Sequence, residues 1–354
     1  MLHTQSSEIK LLFAGDIMQH GPQIRAAQIG KDQFDYTNCF KYIAPTLQSA
    51  DLVIGNLELT LTKVPPYSGY PLFVSPDTLA DALKNAGFDI LMTANNHAND
   101  GHIKGLVHTI DKLDQVKILQ TGTFRNAAER DLHYPLIVYK NGFKIAFLNY
   151  TYDTNGIPTR SPTVVNLIDH QQIKKDIITA RRLQADIIIT FMHWGYEYQT
   201  EPHSKQTSLA KNMLRWGADL VIGAHPHVAQ PIESYTLKRA NGDIEKTLVA
   251  YSLGNFISNQ QQTNTDGGLL LEVTFTKNDA TKKTQLEKAN YLPIWRYIGK
   301  EKHKNQYYTL SIKDFEKLNY KKDFLSTKAW KQMKNYARKL RFLLKDTPVL
   351  ERKD

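Results

Sequence analysis

The chain has 354 residues, a formal net charge of +10, an apolar fraction of 41% and one cysteine, Cys39. A lone cysteine excludes an internal disulfide and any thiolate metal cluster, and no apolar run approaches the ~18–20 residues that span a bilayer. The positive excess points to an anionic partner, whether phosphate, polyacid or membrane surface, while the lack of a recognised binding motif argues against nucleic acid.

The first ten residues, MLHTQSSEIK, carry no apolar leader, which leaves a cytoplasmic chain or one whose leader has been removed. Ile9 to Ala14 reads as a strand running into GDIMQH, and Asp51 to Ile54 as a short strand running into GNLE. Ser75-Pro76-Asp77 opens a helix, with Ser75 as N-cap and Pro76 in the first turn. Leu79, Ala82, Leu83 and Ala86 form its apolar face and Gly87 ends it. FDILMTA is a strand that delivers NNHAND; a helix over about 103–114 follows, and KILQTG returns as a strand. Asn141-Gly142 joins two strands as a hairpin. Residues 169–183 read as a helix, DIIITFM as a strand ending in HWGYEY, and 204–215 as another helix. The strand ADLVIGA then leads to His225-Pro226-His227. A second hairpin turns about Asn241-Gly242, and LLLEVTF is the strand after it. Beyond residue 276 the chain becomes polar and lysine-rich. Within this part YLPIWRYI is apolar enough to pack back, and 328–344 reads as a basic amphipathic helix packed by Trp330, Met333, Tyr336 and Leu340. The expected division is a main domain over 1–275 and a basic C-terminal extension over 276–354 that packs on it.

Proline biases the residue before it toward extended backbone, and in extended chain residues i and i+2 share a side. His225 and His227 are therefore expected to aim at one point. The same pattern recurs along the chain. Five apolar strands are each followed at once by groups that bind metals or move protons: Asp16 with His20, Asn56 with Glu58, Asn96 with His97, His193, and His225 with His227. Open α/β sheets build sites outside the carboxyl ends of their strands. Imidazole, carboxylate and amide donors without thiolate suit Zn, Mn or Fe better than Ca or Mg. The donors are too many for one four-coordinate ion, and two divalent ions bridged by a carboxylate would use them all.

The segments GDIMQH, GNLE, NNHAND, HWG and GAHPHV, with SLGNF after them, resemble the bacterial capsule synthesis CapA family, which is similar in fold to the calcineurin-like metallophosphoesterases. The resemblance covers about residues 9–275. It implies a layered α/β/β/α sandwich. It also implies that Asp16, His20 and His227 bind a first metal and Asn96, His193 and His225 a second. Glu58 takes the place of the bridging aspartate, His97 is the proton donor to the leaving group, and Asp100 orients it. Asp16 and His20 stand further apart than the usual Asp-x-His, and Glu58 is one methylene longer than the aspartate it replaces. The function implied is a metal-dependent, phosphoesterase-like activity in synthesis or export of poly-γ-glutamate or another capsule polymer. The site would lie at the cell envelope, outside the cytoplasm, in reach of a membrane-bound synthase. An amide hydrolase or transferase using the same two metals, and a non-catalytic polyanion-binding accessory of the synthase, are the alternatives.

Overall fold

The computed structural model describes residues 6–238, 242, 244–301, 303–316 and 324–352. Two sheets pack face to face. The longest path through the first runs Lys304–Ser311, Thr284–Glu301, Gly267–Asn278, Ser6–Ile17, Leu52–Leu57, Ile90–Met92, Leu119–Thr121. The second runs Leu136–Lys140, Phe143–Thr151, Ile187–His193, Leu220–Ala224, Ile244–Ala250, Ile232–Lys238.

Strands buried on both faces need apolar residues at every position, and the apolar runs supply them. Leu11 and Phe13 face the layer between the sheets with Phe147, Ile189 and Ile222. Leu12 and Ala14 face outward onto Leu79 and Leu83 of the helix Thr78–Ala86. On the far side, Ile188 and Val221 meet Ile173 and Ile177 of His170–Arg182 and Leu209 and Met213 of Ser204–Trp216. This is the expected α/β/β/α order. Ser6–Ile17, Leu52–Leu57 and Ile90–Met92 run parallel, as do Phe143–Thr151, Ile187–His193 and Leu220–Ala224. Their carboxyl ends therefore gather at one edge of the sandwich.

The helix expected to be capped by Ser75 starts later. Val74–Pro76 pairs with Thr60–Thr62 as a short strand, and Asp77 takes the N-cap position. Gly87 ends the helix at φ 115°, as read. Asn141 and Gly142 turn the first hairpin with φ of 49° and 80°. At the second, Ile232–Lys238 pairs antiparallel with Ile244–Ala250, and Asn241 lies outside the described residues.

Gly267–Asn278 passes through position 276 without a break. It pairs with Ser6–Phe13 on one side and with Thr284–Glu301, which contains YLPIWRYI, on the other. The helix Thr327–Leu343 then sets Met333, Tyr336 and Leu340 into the core between the sheets, with Trp330 half-buried against it.

Candidate metal centre

Register brings the first donors together. Asp16 and Asn56 are paired residues on neighbouring parallel strands, and Asn56 Nδ2 donates to Asp16 Oδ1 at 2.7 Å. From the second sheet, His227 Nδ1 lies 3.1 Å from Asp16 Oδ2, and the His225 N–H donates to the same oxygen at 3.2 Å. Glu58 stands between the sheets, with Oε1 3.5 Å from His193 Nε2 and 3.7 Å from His227 Nε2. His193 Nε2 also meets Asn96 Oδ1 at 2.7 Å. Donor atoms of Glu58, His193 and His225 lie within 4.8 Å of one another, and so do those of Asp16, Glu58 and His227. Glu58 belongs to both groups.

The two histidines of His225-Pro226-His227 converge by another route than extended chain. Their φ angles are 96° and 58°, so the segment is a turn through left-handed backbone, which non-glycine residues enter only when the surroundings hold them there. Here Asp16 takes the His225 N–H, and Pro226 O accepts from the Tyr198 N–H at 2.8 Å.

Burial sets the charge states. It opposes ionisation of Asp16, but the hydrogen bond and charge of His227, with help from His193 and Asn56, outweigh it and hold Asp16 below the usual carboxylate range. Glu58 goes the other way: burial, then the Asp16 charge, raise it well above that range. Burial pushes His193 down to about 3 and, with the neighbouring histidines, His225 well below its ordinary value. Both imidazoles are therefore neutral, as metal ligation requires. Both Glu58 oxygens and His225 Nδ1 are buried without a hydrogen-bond partner. Buried polar atoms nearly always have one. A carboxylate and an imidazole orphaned in one cluster fit a divalent cation.

His20 is not brought into these groups. It sits at the N-cap of the helix Gly21–Ala27, with Nδ1 3.3 Å from Gln23 Oε1 and 3.3 Å from the Asn259 N–H. The helix begins one residue later and fixes the ring there. Its edge rests on Phe73, whose ring also meets His97. His97 Nδ1 lies 2.6 Å from Asp100 Oδ2, which also accepts the Phe73 N–H. That contact engages Nδ1 and fixes the ring, so that Nε2 is the nitrogen not held by Asp100.

Three neighbours went unread in the sequence. Asn255 of SLGNF is paired with Asp16 across the strands and holds Oδ1 3.2 Å from His227 Nδ1; its strand-end Gly-Asn was visible but had no role. Glu197 groups with His225 and His227 at the mouth. The Tyr152 ring lies 4.6 Å from that of His225. Nothing local marks either residue, because each arrives from a loop. His102 is exposed, His108 pairs with Asp77, and His203 caps the helix Ser204–Trp216, so none of these joins the centre.

The family described as Bacterial capsule synthesis protein PGA_cap matches residues 10–260. The chain belongs to that family. The PGA_cap segment therefore contains every donor named above. The PGA biosynthesis protein CapA of Bacillus subtilis is 31% identical over 272 residues, covering 75% of this chain and 67% of that protein. The capsule biosynthesis protein CapA of Bacillus anthracis is 29% identical over 289 residues, covering 78% and 66%. The match thus spans about two thirds of the length of these PGA_cap relatives. Among solved structures, the NAD nucleotidase NadN of Haemophilus influenzae covers 98% of this chain and 64% of its own at 12% identity, with a TM-score of 0.51. That likeness is one of fold.

Proposed function

We propose that this protein is a divalent-metal-dependent hydrolase of the phosphoesterase type, acting on an anionic substrate in capsule polymer synthesis or export at the cell envelope. One observation carries the reading: Glu58, fully buried with both oxygens unpartnered, is shared by two groups of metal donors. Asp16, Glu58 and His227 would hold one ion, and Glu58, Asn96, His193 and His225 the other. Divalent ions so held would supply Lewis acidity, polarising a phosphoryl or carbonyl oxygen and lowering the pKa of bound water. Around them the chain orients its own groups. Asn56 and Asn255 fix Asp16 and His227 from behind. Asp100 holds His97 so that Nε2 can give a proton to the departing oxygen.

The test is turnover of p-nitrophenyl phosphate esters by protein reconstituted with Mn or Zn, beside His97→Ala. Turnover that needs metal and falls in the variant supports the reading. A folded, metal-loaded protein with no turnover of esters or amides overturns it in favour of a polyanion-binding accessory.

A further inference from the structure

The helix Thr327–Leu343 has a second face. Lys328, Gln332, Asn335 and Lys339 recur at i, i+4, i+7 and i+11, so they form one stripe, and all four are exposed. The stripe lines a groove of about 590 Å³, whose other walls are residues 260–264 and the strand segment 295–298. A second hollow of about 430 Å³ shares Asn264, Tyr336 and Lys339 with the first and reaches Val228 and Ala229. Those two residues directly follow His227 in the chain, so the far end of the second hollow lies beside the segment that carries a donor of the metal centre. Gln260 joins them as well: its Oε1 accepts from Asn255 Nδ2 at 2.8 Å, and Asn255 Oδ1 lies beside His227.

The first part of the groove is cationic, while the second sets Lys339 and Lys345 against Glu201 and Asp346. Arg296, Lys328 and Lys339 line its first part against a single carboxylate, Asp266, whose Oδ2 is taken by Trp295 Nε1 at 2.8 Å. Arg296 is 8% exposed. Its Nη2 donates to Gln260 O at 3.0 Å, its Nε is buried without a partner, and among the described residues it forms no ion pair. A buried guanidinium is costly unless an anion joins it.

We propose that this groove binds an acidic polymer whose carboxylates repeat along an amide backbone, and holds it beside the metal centre. Lys339 follows Lys328 by eleven helical positions, a rise of ~16 Å. One phosphate group cannot reach both ends; a chain with repeated anions can. Gln332 and Asn335 between the lysines offer both donors and acceptors, which suits amide bonds. The proposal rests on the reading of the centre as acting on an anionic polymer, but binding is measured apart from turnover.

The probe is fluorescently labelled poly-γ-glutamate, followed by anisotropy at low ionic strength. Three proteins are compared: the parent, the double variant Lys328→Glu with Lys339→Glu, and a control, Lys174→Glu with Lys175→Glu, which changes net charge equally on exposed positions of another helix. The groove variant should lose about tenfold or more in affinity, and the control far less, if local complementarity rather than overall charge governs binding. Metal content, melting temperature and p-nitrophenyl ester turnover should match the parent in both. Equal losses in the two variants overturn the proposal, as does a parent that binds no polymer. Polyphosphate that displaces the probe as well as unlabelled poly-γ-glutamate does also overturns it, since the groove would then serve polyanions at large. A parent that binds the polymer, with the loss confined to the groove variant, but turns over no ester removes the hydrolase reading and leaves the groove standing.

Discussion

Glu58 and His97 have different tasks, and each makes its own demand on pH and metal. With burial and Asp16 raising its pKa, Glu58 keeps a proton in the metal-free protein to higher pH than an ordinary carboxylate. An entering cation must displace that proton. His193, pushed down to about 3, is already neutral and does not compete. Apparent metal affinity should therefore fall as pH is lowered into the range where Glu58 takes up its proton, which lies above that of an ordinary carboxylate, with proton release on binding. Titration calorimetry of Mn in buffers of differing ionisation heat reads this, and binding without proton release would sink it. His227→Ala should lower metal content and turnover together. His97→Ala should keep the metal, because no donor of either group is touched, yet lose ~10²–10⁴-fold in turnover. That loss should shrink for esters with good leaving groups, which need no proton. Metal stripped by His97→Ala would mean that the two roles are assigned wrongly. Most of these residues were legible from their place at strand ends. Glu197 and Tyr152 were not, because loops carry no periodicity that ties them to a distant cluster.

At the scale of elements, strands were easier to read than what joins them. Apolar runs marked the strands and glycine marked the helix stop at Gly87, since both effects are local. The Ser75 cap was misplaced because pairing of Val74–Pro76 with Thr60–Thr62 is a long-range choice that overrides a local preference. His225-Pro226-His227 was right in destination and wrong in route, since its left-handed turn depends on Asp16, which is remote in sequence. Gly223 supports that turn. A Cβ there would lie 1.9 Å from Tyr251 O, while Gly223 O accepts the Leu253 N–H at 3.1 Å. This close approach brings the strand before His225 up to the segment that carries Asn255. Gly223→Ala should cost about 1–3 kcal/mol or more by overpacking and should lower metal content as the two segments part. Denaturant titration and elemental analysis check it; unchanged stability would show that the backbone there yields freely.

For the whole molecule, composition hid the role of the last quarter. Expected as a basic extension packing on the main domain, it also supplies the apolar residues that complete the sandwich. Thr284–Glu301 covers one edge of Gly267–Asn278, and Tyr291, Trp295, Met333, Tyr336 and Leu340 share a core with Leu269, Leu271 and Val273. Lysines on an amphipathic helix say what faces water and nothing about what the other face covers. A chain ended at residue 275 would leave Gly267–Phe275 paired on one side only, with Leu269 and Leu271, now fully buried, open to solvent. Unpaired strand edges beside bare apolar surface favour association over folding. The fragment 1–275 should therefore show no cooperative melting transition and bind no stoichiometric metal, even though every donor of the centre is present in it. Circular dichroism melting with elemental analysis decides the matter. A soluble fragment that melts cooperatively and holds metal would show that the sandwich closes without its C-terminal strands and helix.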